Sequence, residues 1–284
     1  MTDIPAFPLL GSTDLPPYQI VNETGAAHAL LVCDHAGQAV PASLDRLGLS
    51  DEELSRHIAW DIGAAAVTRH LARMLDAPAV LANYSRLVID PNRFPHDHAA
   101  AFPAVSDGTR VPGNEDLTES QRQARARSCF WPYHNAISRH LQSMREQRFL
   151  PAVIAIHSCT PVFQDEFRPW HVGVLWNQDP RLSLPLIDAL RQVPGIEVGD
   201  NQPYSGRLPN FFTMAHHAES ADLPHVALEV RQDLIGDAQG IRTWAEVLYR
   251  AFAPLIAGAR QLDVAESARP GSSGANPIGE PTGH

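Results

Sequence analysis

The sequence predicts an α/β fold with a mostly parallel sheet covered by helices on both faces. Two observations predict it. Short runs that are apolar throughout recur along the chain, as strands buried on both faces require, and segments of helical period separate most of them. Residues 1–25 read as an irregular N-terminal arm. The first strand is Ala29–Cys33. A helix is expected to start after Ser50, where Ser50 and Glu53 can form a capping box, and to run to about Leu75. Strands follow at Ala79–Ala82 and Leu87–Ile89. A long helix fits 118–148, capped by Thr118 with Gln121 and kinked or broken at Pro132. Further strands are read at Ala152–Ile156, Val172–Trp176 and Val226–Val230, with helices at 181–192 and 238–258. The end, 266–284, is rich in Gly, Pro and Ser and is expected to be a disordered tail, leaving one domain over 1–265.

Composition narrows the functional classes. The chain has 284 residues, 44% hydrophobic and 19% charged, with a formal net charge of −10. All 22 basic residues are arginine. An acidic chain without a basic stripe is a poor nucleic-acid binder, and the missing lysine excludes Schiff-base chemistry and a P-loop. No stretch approaches the ~18 uninterrupted apolar residues of a membrane span. The first twenty residues lack a basic leader pattern, so a cytoplasmic location is expected. Cys33, Cys129 and Cys159 fit neither a disulfide framework nor a metal knuckle and read as free buried thiols.

In sheets of this kind ligands sit at the carboxyl ends of the strands. Applied here, that rule collects a distinctive set. Ala29–Cys33 runs into Asp34-His35-Ala36-Gly37, Leu87–Ile89 into Asp90-Pro91-Asn92-Arg93, Ala152–Ile156 into His157-Ser158, and Val226–Leu228 into Glu229-Val230-Arg231. Two histidines, an Asn-Arg pair and a glutamate at one sheet edge suggest a metal site with an anion clamp and a general base. A hydrolytic zinc takes three protein ligands and keeps a place for water. His35 and His157 supply two; Asp61 is the preferred third, because a carboxylate within the apolar stretch Ile58–Ala64 needs a partner. His57, four residues earlier on the expected helix, is an alternative ligand or a supporting partner, and an exposed His/Asp pair is the plainer reading. Asp34 and Asp90 are further carboxylates near the same edge. Glu229, in an otherwise apolar strand, suits a general base tuned toward neutrality. Arg93 and Arg86 can grip a substrate carboxylate with Asn92, though Arg86 can equally serve a structural ion pair. His134 and His216 or His217 are candidates for substrate or oxyanion contact, against an ordinary surface or supporting role.

The segments His35-Ala36-Gly37, Ser85–Arg93, Pro132-Tyr133-His134, Ile156-His157-Ser158 and Leu228-Glu229-Val230 together resemble the N-formylglutamate amidohydrolase family, in the expected order, over 29 to about 235. The resemblance implies a mixed sheet between helical layers of the carboxypeptidase-like (phosphorylase/hydrolase-like) kind. It also implies one divalent metal, zinc being the expected ion, and a small N-acyl amino acid as substrate. Asn92-Arg93 resembles the carboxylate clamp of the zinc carboxypeptidases, His157-Ser158 their late zinc histidine and Glu229-Val230-Arg231 their base segment. Their His-x-x-Glu pair is absent, since Gln38 stands three residues after His35, so the third ligand comes from elsewhere. The stretch Asp165–Trp176 resembles a branch other than the histidine-degradation deformylases, which bears on the acyl group more than on hydrolysis. The alternatives are a carboxypeptidase, a deacylase for another N-acyl amino acid, or a catalytically silent metal- or amino-acid-binding protein. A silent site has no need of a base such as Glu229. The sequence leaves the oligomeric state open.

Overall fold

The computed structural model describes residues 9–147, 150–209 and 211–267. Seven strands form the main sheet: β1 (Tyr18–Val21), β2 (Ala29–Cys33), β3 (Ala79–Ala82), β4 (Ala152–Cys159), β5 (Val172–Leu175), β6 (Val198–Asp200) and β7 (His225–Arg231). Their spatial order is β1-β3-β2-β4-β7-β5-β6. β3, β2, β4 and β7 run parallel, β1 is antiparallel to β3, and β5, paired in parallel with β6, is antiparallel to β7. The sheet is therefore mixed and mostly parallel.

Side chains alternate across a strand, so a wholly apolar strand feeds two cores. In β2, Ala29, Leu31 and Cys33 enter one buried cluster while Leu30 and Val32 enter another. The longer helices are α1 (Ala64–Leu75), α2 (Trp131–Glu146), α3 (Ser183–Arg191) and α4 (Ala238–Ser267). α1, α3 and α4 cover the first face through residues such as Val67, Leu71, Leu186, Leu248 and Phe252. α2 and the short helix Phe212–His217 cover the second, through Tyr133, Ile137, Leu141 and Met214. A third cluster, including Leu47, Leu87, Val88, Phe102 and Phe130, packs beneath the long connections. All three cysteines are buried and free, as expected.

Several expectations need correcting. The N-terminal arm contains a strand, β1, paired with β3 along its whole length. The helix expected from Ser50 to Leu75 is two helices. The capping box at Ser50 is present, but the first helix ends at Ser55, and α1 begins only at Ala64 after Gly63. Gly63 sits at φ +82°, and a Cβ there would lie 2.3 Å from the Ile235 carbonyl oxygen, so the chain turns there by necessity. Asp61 therefore lies in a connection, not on a helix. The helix read over 118–148 keeps its Thr118 capping box, then passes through a π-helical stretch, Ala126–Phe130, before α2 starts with Pro132 in its first turn. Pro132 has no N–H to give the ladder, and the wider π turn before it, in which the Trp131 N–H reaches back to the Ala126 carbonyl, accommodates it without a break.

Leu87–Ile89 is a buried turn, not a strand. Its backbone finds side chains where a strand would find a neighbour: Asn114 Nδ2 donates to the Leu87 carbonyl at 2.8 Å and the buried Arg125 to that of Val88 at 3.1 Å. The last helix outruns its expected end and includes 266–267; the rest of the expected tail, 268–284, lies outside the described residues.

Chain order places the site. β2 leads to β3 on one side of it, whereas β4 is followed by β5 and β6 on the other. The crevice between the carboxyl ends of β2 and β4 is thus a topological switch point, where open α/β sheets bind ligands. Gly37 sets the path of the chain leaving β2, because a Cβ there would lie 2.0 Å from the Asn83 carbonyl oxygen. Gly37→Ala is expected to cost at least about 1–3 kcal/mol of stability, the usual penalty of overpacking. The measurement is the urea midpoint, which should fall with an unchanged slope.

Candidate metal centre

His35 is the second residue past β2, and His157 lies within β4 on the sheet face that also bears Val153 and Ala155. The intervening Asp61 is brought to them by its connection. Its backbone N–H donates to the His35 carbonyl at 2.9 Å, and Ser158 Oγ donates to the carbonyl of Ile62 at 2.8 Å. The serine of the His-Ser pair thus ties the Asp61 connection to β4.

The three side chains form a tight, buried triangle. Asp61 Oδ2 stands 3.3 Å from His35 Nδ1 and 2.9 Å from His157 Nδ1, and the two imidazole nitrogens are 3.3 Å apart. Donors around a tetrahedral zinc with bonds of about 2.0–2.1 Å are separated by about 3.3 Å, so the set fits such an ion. The far nitrogens lie beside carboxylates: His35 Nε2 is hydrogen-bonded to Asp90 Oδ1 at 2.7 Å, and His157 Nε2 is 3.2 Å from Asp34 Oδ2, an ion-pair distance without hydrogen-bond alignment. This carboxylate-histidine arrangement fixes ring orientation and raises ligand basicity in metal sites. Asp34 is itself held by Tyr133 and Thr213, whose hydroxyls donate to Oδ1 at 2.9 and 2.8 Å.

Electrostatics agree with a cation-seeking centre. Burial works against ionisation of Asp34, but the adjacent His157 outweighs it and holds the carboxyl down at about 2. Asp61 and Asp90 are likewise buried and likewise held well below the usual carboxylate range, chiefly by His35. Both histidines are pushed up despite burial, His157 by Asp34 and Asp61, His35 by Asp90 and Asp61. Three buried carboxylates surround the imidazoles, and one guanidinium, Arg86, bridges Asp61 and Asp90. A dication suits that imbalance.

Glu229 lies in β7 in register with His157 on the neighbouring parallel strand. It is buried, and among the described residues no hydrogen bond engages its carboxylate. Burial pushes its pKa up to about 7. Arg231 turns instead to Asp233, at 2.8 Å, and does not pair with Glu229. A polar cavity of about 180 Å³ opens at this point, lined among others by His35, Asp61, Arg93, His157, Tyr204 and Glu229.

The remaining candidates fall in different places. Asn92 and Arg93 line the cavity, but a buried loop carries them. The Asn92 N–H donates to Asp90 at 2.8 Å, and its Oδ1 accepts from the Thr213 N–H at 3.1 Å. Arg93 lies over the Phe211 ring and donates to the Asn92 carbonyl. Arg86 also lines the cavity, yet its guanidinium is engaged by Asp61 and Asp90, the ion-pair alternative. His57 is turned away and pairs with Asp107 at 3.2 Å. His134 and His217 line neither this cavity nor the lobe adjoining it; they bond to each other at 2.9 Å, and His134 Nε2 meets the Pro91 carbonyl at 2.9 Å. Burial depresses them to about 4 and about 3, so they brace the Asn92 loop as neutral rings.

A family model described as N-formylglutamate amidohydrolase matches residues 27–236. The chain belongs to that family. Members of the N-formylglutamate amidohydrolase family are hydrolases of C–N bonds outside peptides, and this chain is one. A gene product of Agrobacterium tumefaciens of known structure is similar, at 32% identity, covering 89% of this chain and 98% of its own, with a TM-score of 0.82. The N-formylglutamate amidohydrolase of Ralstonia eutropha shares the fold at 18% identity, with coverages of 87% and 99% and a TM-score of 0.62. No curated protein sequence matches the chain. Among the described residues, no helix is long and apolar enough to cross a membrane.

Proposed function

We propose that this family member hydrolyses the amide bond of N-formyl or other N-acyl amino acids with a divalent metal, zinc by its donor set, held by His35, Asp61 and His157. The observation that carries the reading is the donor triangle with an unengaged glutamate beside it at the switch point. A cation bound there supplies Lewis acidity that lowers the pKa of water and polarises the acyl carbonyl.

The chain's own residues do the rest. Glu229, raised to about 7 by burial, takes a proton from the attacking water. As the water oxygen bonds to the acyl carbon and the C–N bond breaks, Glu229 returns that proton to the leaving nitrogen. The products are a carboxylic acid and the free amino acid. Asp34 and Asp90 keep both imidazoles in place, and Arg93, steadied by Asn92, holds the α-carboxylate. Arg86 serves as an ion pair that positions Asp61 and Asp90. Release of formate or another acid from N-acyl glutamates, present with zinc and abolished by chelation, tests the reading. No release from any N-acyl amino acid at full metal loading would overturn it.

The clamp has its own test. A guanidinium makes two parallel bonds to a carboxylate and an ammonium cannot. Arg93→Lys is expected to lower kcat/KM for N-acyl amino acids by roughly 1.5–3 kcal/mol, the worth of a charged hydrogen bond. The α-amides of the same substrates should lose far less. Equal losses on acid and amide would place the clamp elsewhere.

A further inference from the structure

A second lobe of about 240 Å³ adjoins the polar cavity at the metal centre, and Asn92, His157, Leu208, Phe211 and Glu229 line both. It lies along the sheet face covered by α2 and the Phe212–His217 helix. Its floor includes Ala155 and Ala227, each two residues before a reactive group, on β4 and β7, and so on the same strand face as His157 and Glu229. Small side chains at those two positions leave the space open. Most of the wall area is apolar, with Phe94, Leu175, Trp176 and Met214 contributing, and the lining guanidinium of Arg207 rests on the Trp176 ring.

A formyl group is close to the size of a water molecule, whose share of liquid volume is about 30 Å³. The lobe holds several times that. In an N-acyl amino acid the carboxylate and side chain branch from one carbon, and the acyl group lies across the scissile bond from both. Arg93 borders only the polar cavity. With the carboxylate held there and the amide at His157 and Glu229, the acyl group extends into the second lobe. An anion moved into this largely apolar lobe would lose its hydration, which disfavours a charged acyl group there.

We infer that this lobe is an acyl-binding chamber for a bulky, uncharged, apolar acyl group, aromatic or medium-chain aliphatic, so that such N-acyl amino acids are better substrates than N-formyl ones. The inference rests on the reaction proposed above and adds its substrate class.

The test compares N-formyl-, N-acetyl-, N-hexanoyl- and N-phenylacetyl-glutamate on the metal-loaded protein, and measures calorimetric Kd values for the formyl and phenylacetyl compounds with the Glu229→Gln variant. Complementary apolar groups are commonly discriminated by about tenfold or more per methylene. The hexanoyl and phenylacetyl substrates should therefore exceed the formyl one by at least about tenfold in kcat/KM, and phenylacetyl-glutamate should bind tighter by a similar factor. Filling the floor with Ala155→Leu, or with Ala227→Leu if the first variant does not fold, should lower the phenylacetyl-to-formyl ratio by about tenfold. A formyl substrate as good as or better than the bulky ones, in turnover or in Kd, overturns the chamber and leaves the hydrolase reading standing. Preference for N-formylphenylalanine over N-phenylacetyl-glutamate also overturns it, since the lobe would then take the side chain. If nothing is turned over, the reaction proposal fails, and the Kd comparison still decides the chamber.

Discussion

Replacing both His35 and His157 by alanine is expected to reduce bound divalent metal from about one equivalent to near none. The two imidazoles are two of three donors, and Asp61 alone offers one carboxylate oxygen at the centre. Elemental analysis of the purified proteins reads the result directly. Loss of metal should also lower thermal stability, because a ligand that binds only the folded state adds RT ln(1 + [L]/Kd), about 4 kcal/mol at a thousandfold excess over Kd. The double variant should melt at the same temperature with and without chelator, whereas the parent protein should not. A metal content untouched by the two substitutions would remove the centre from these residues.

Glu229→Gln is expected to lower turnover by about 10²–10⁴-fold, the loss that follows removal of a general base. Glutamine keeps the size of the side chain and much of its polarity but cannot carry the proton. The carboxylate has no hydrogen-bond partner among the described residues to lose, so stability should hold, and metal content should stay near one equivalent. Near-normal turnover would assign Glu229 a structural role. Turnover lost together with metal would mean that the glutamate is a ligand.

The candidate site residues are legible in the sequence because each falls at or just past the carboxyl end of an apolar strand, where a buried polar residue needs a reason to be present. That logic found His35, His157 and Glu229, and the structure brings them together. Asp61 is marked by the same token, its apolar surroundings, but it stands in a connection and not on the expected helix. The break depends on Gly63 meeting Ile235, a residue far along the chain, and no local pattern records that contact. The apolar run Leu87–Ile89 says only that its residues are buried; whether strand neighbours or Asn114 and Arg125 satisfy its backbone is a tertiary matter. Asp34 and Asp90 stand near the same edge in the sequence, but only the fold shows that they lie beside the outer imidazole nitrogens. Tyr133 stands in the Pro132-Tyr133-His134 segment of the family resemblance but with no role attached, and Thr213, which with it holds Asp34, carries no signal in the sequence. The edge strands β1 and β6 are only four and three residues long, too short for a pattern to stand out.

The pairing of His157 with Glu229 across two adjacent parallel strands has a consequence for how relatives of this chain are judged. Side chains along a strand point alternately to opposite faces, so placement depends on whether a residue is an odd or even number of steps from the strand's anchored start. Deletion of one residue between Ala152 and Ile156 would leave the letters His-Ser intact and turn the imidazole toward the layer packed by α1 and α4. A sequence can thus retain every signature in order and lack a working centre, and counting residues within the strand is the check that separates the two cases.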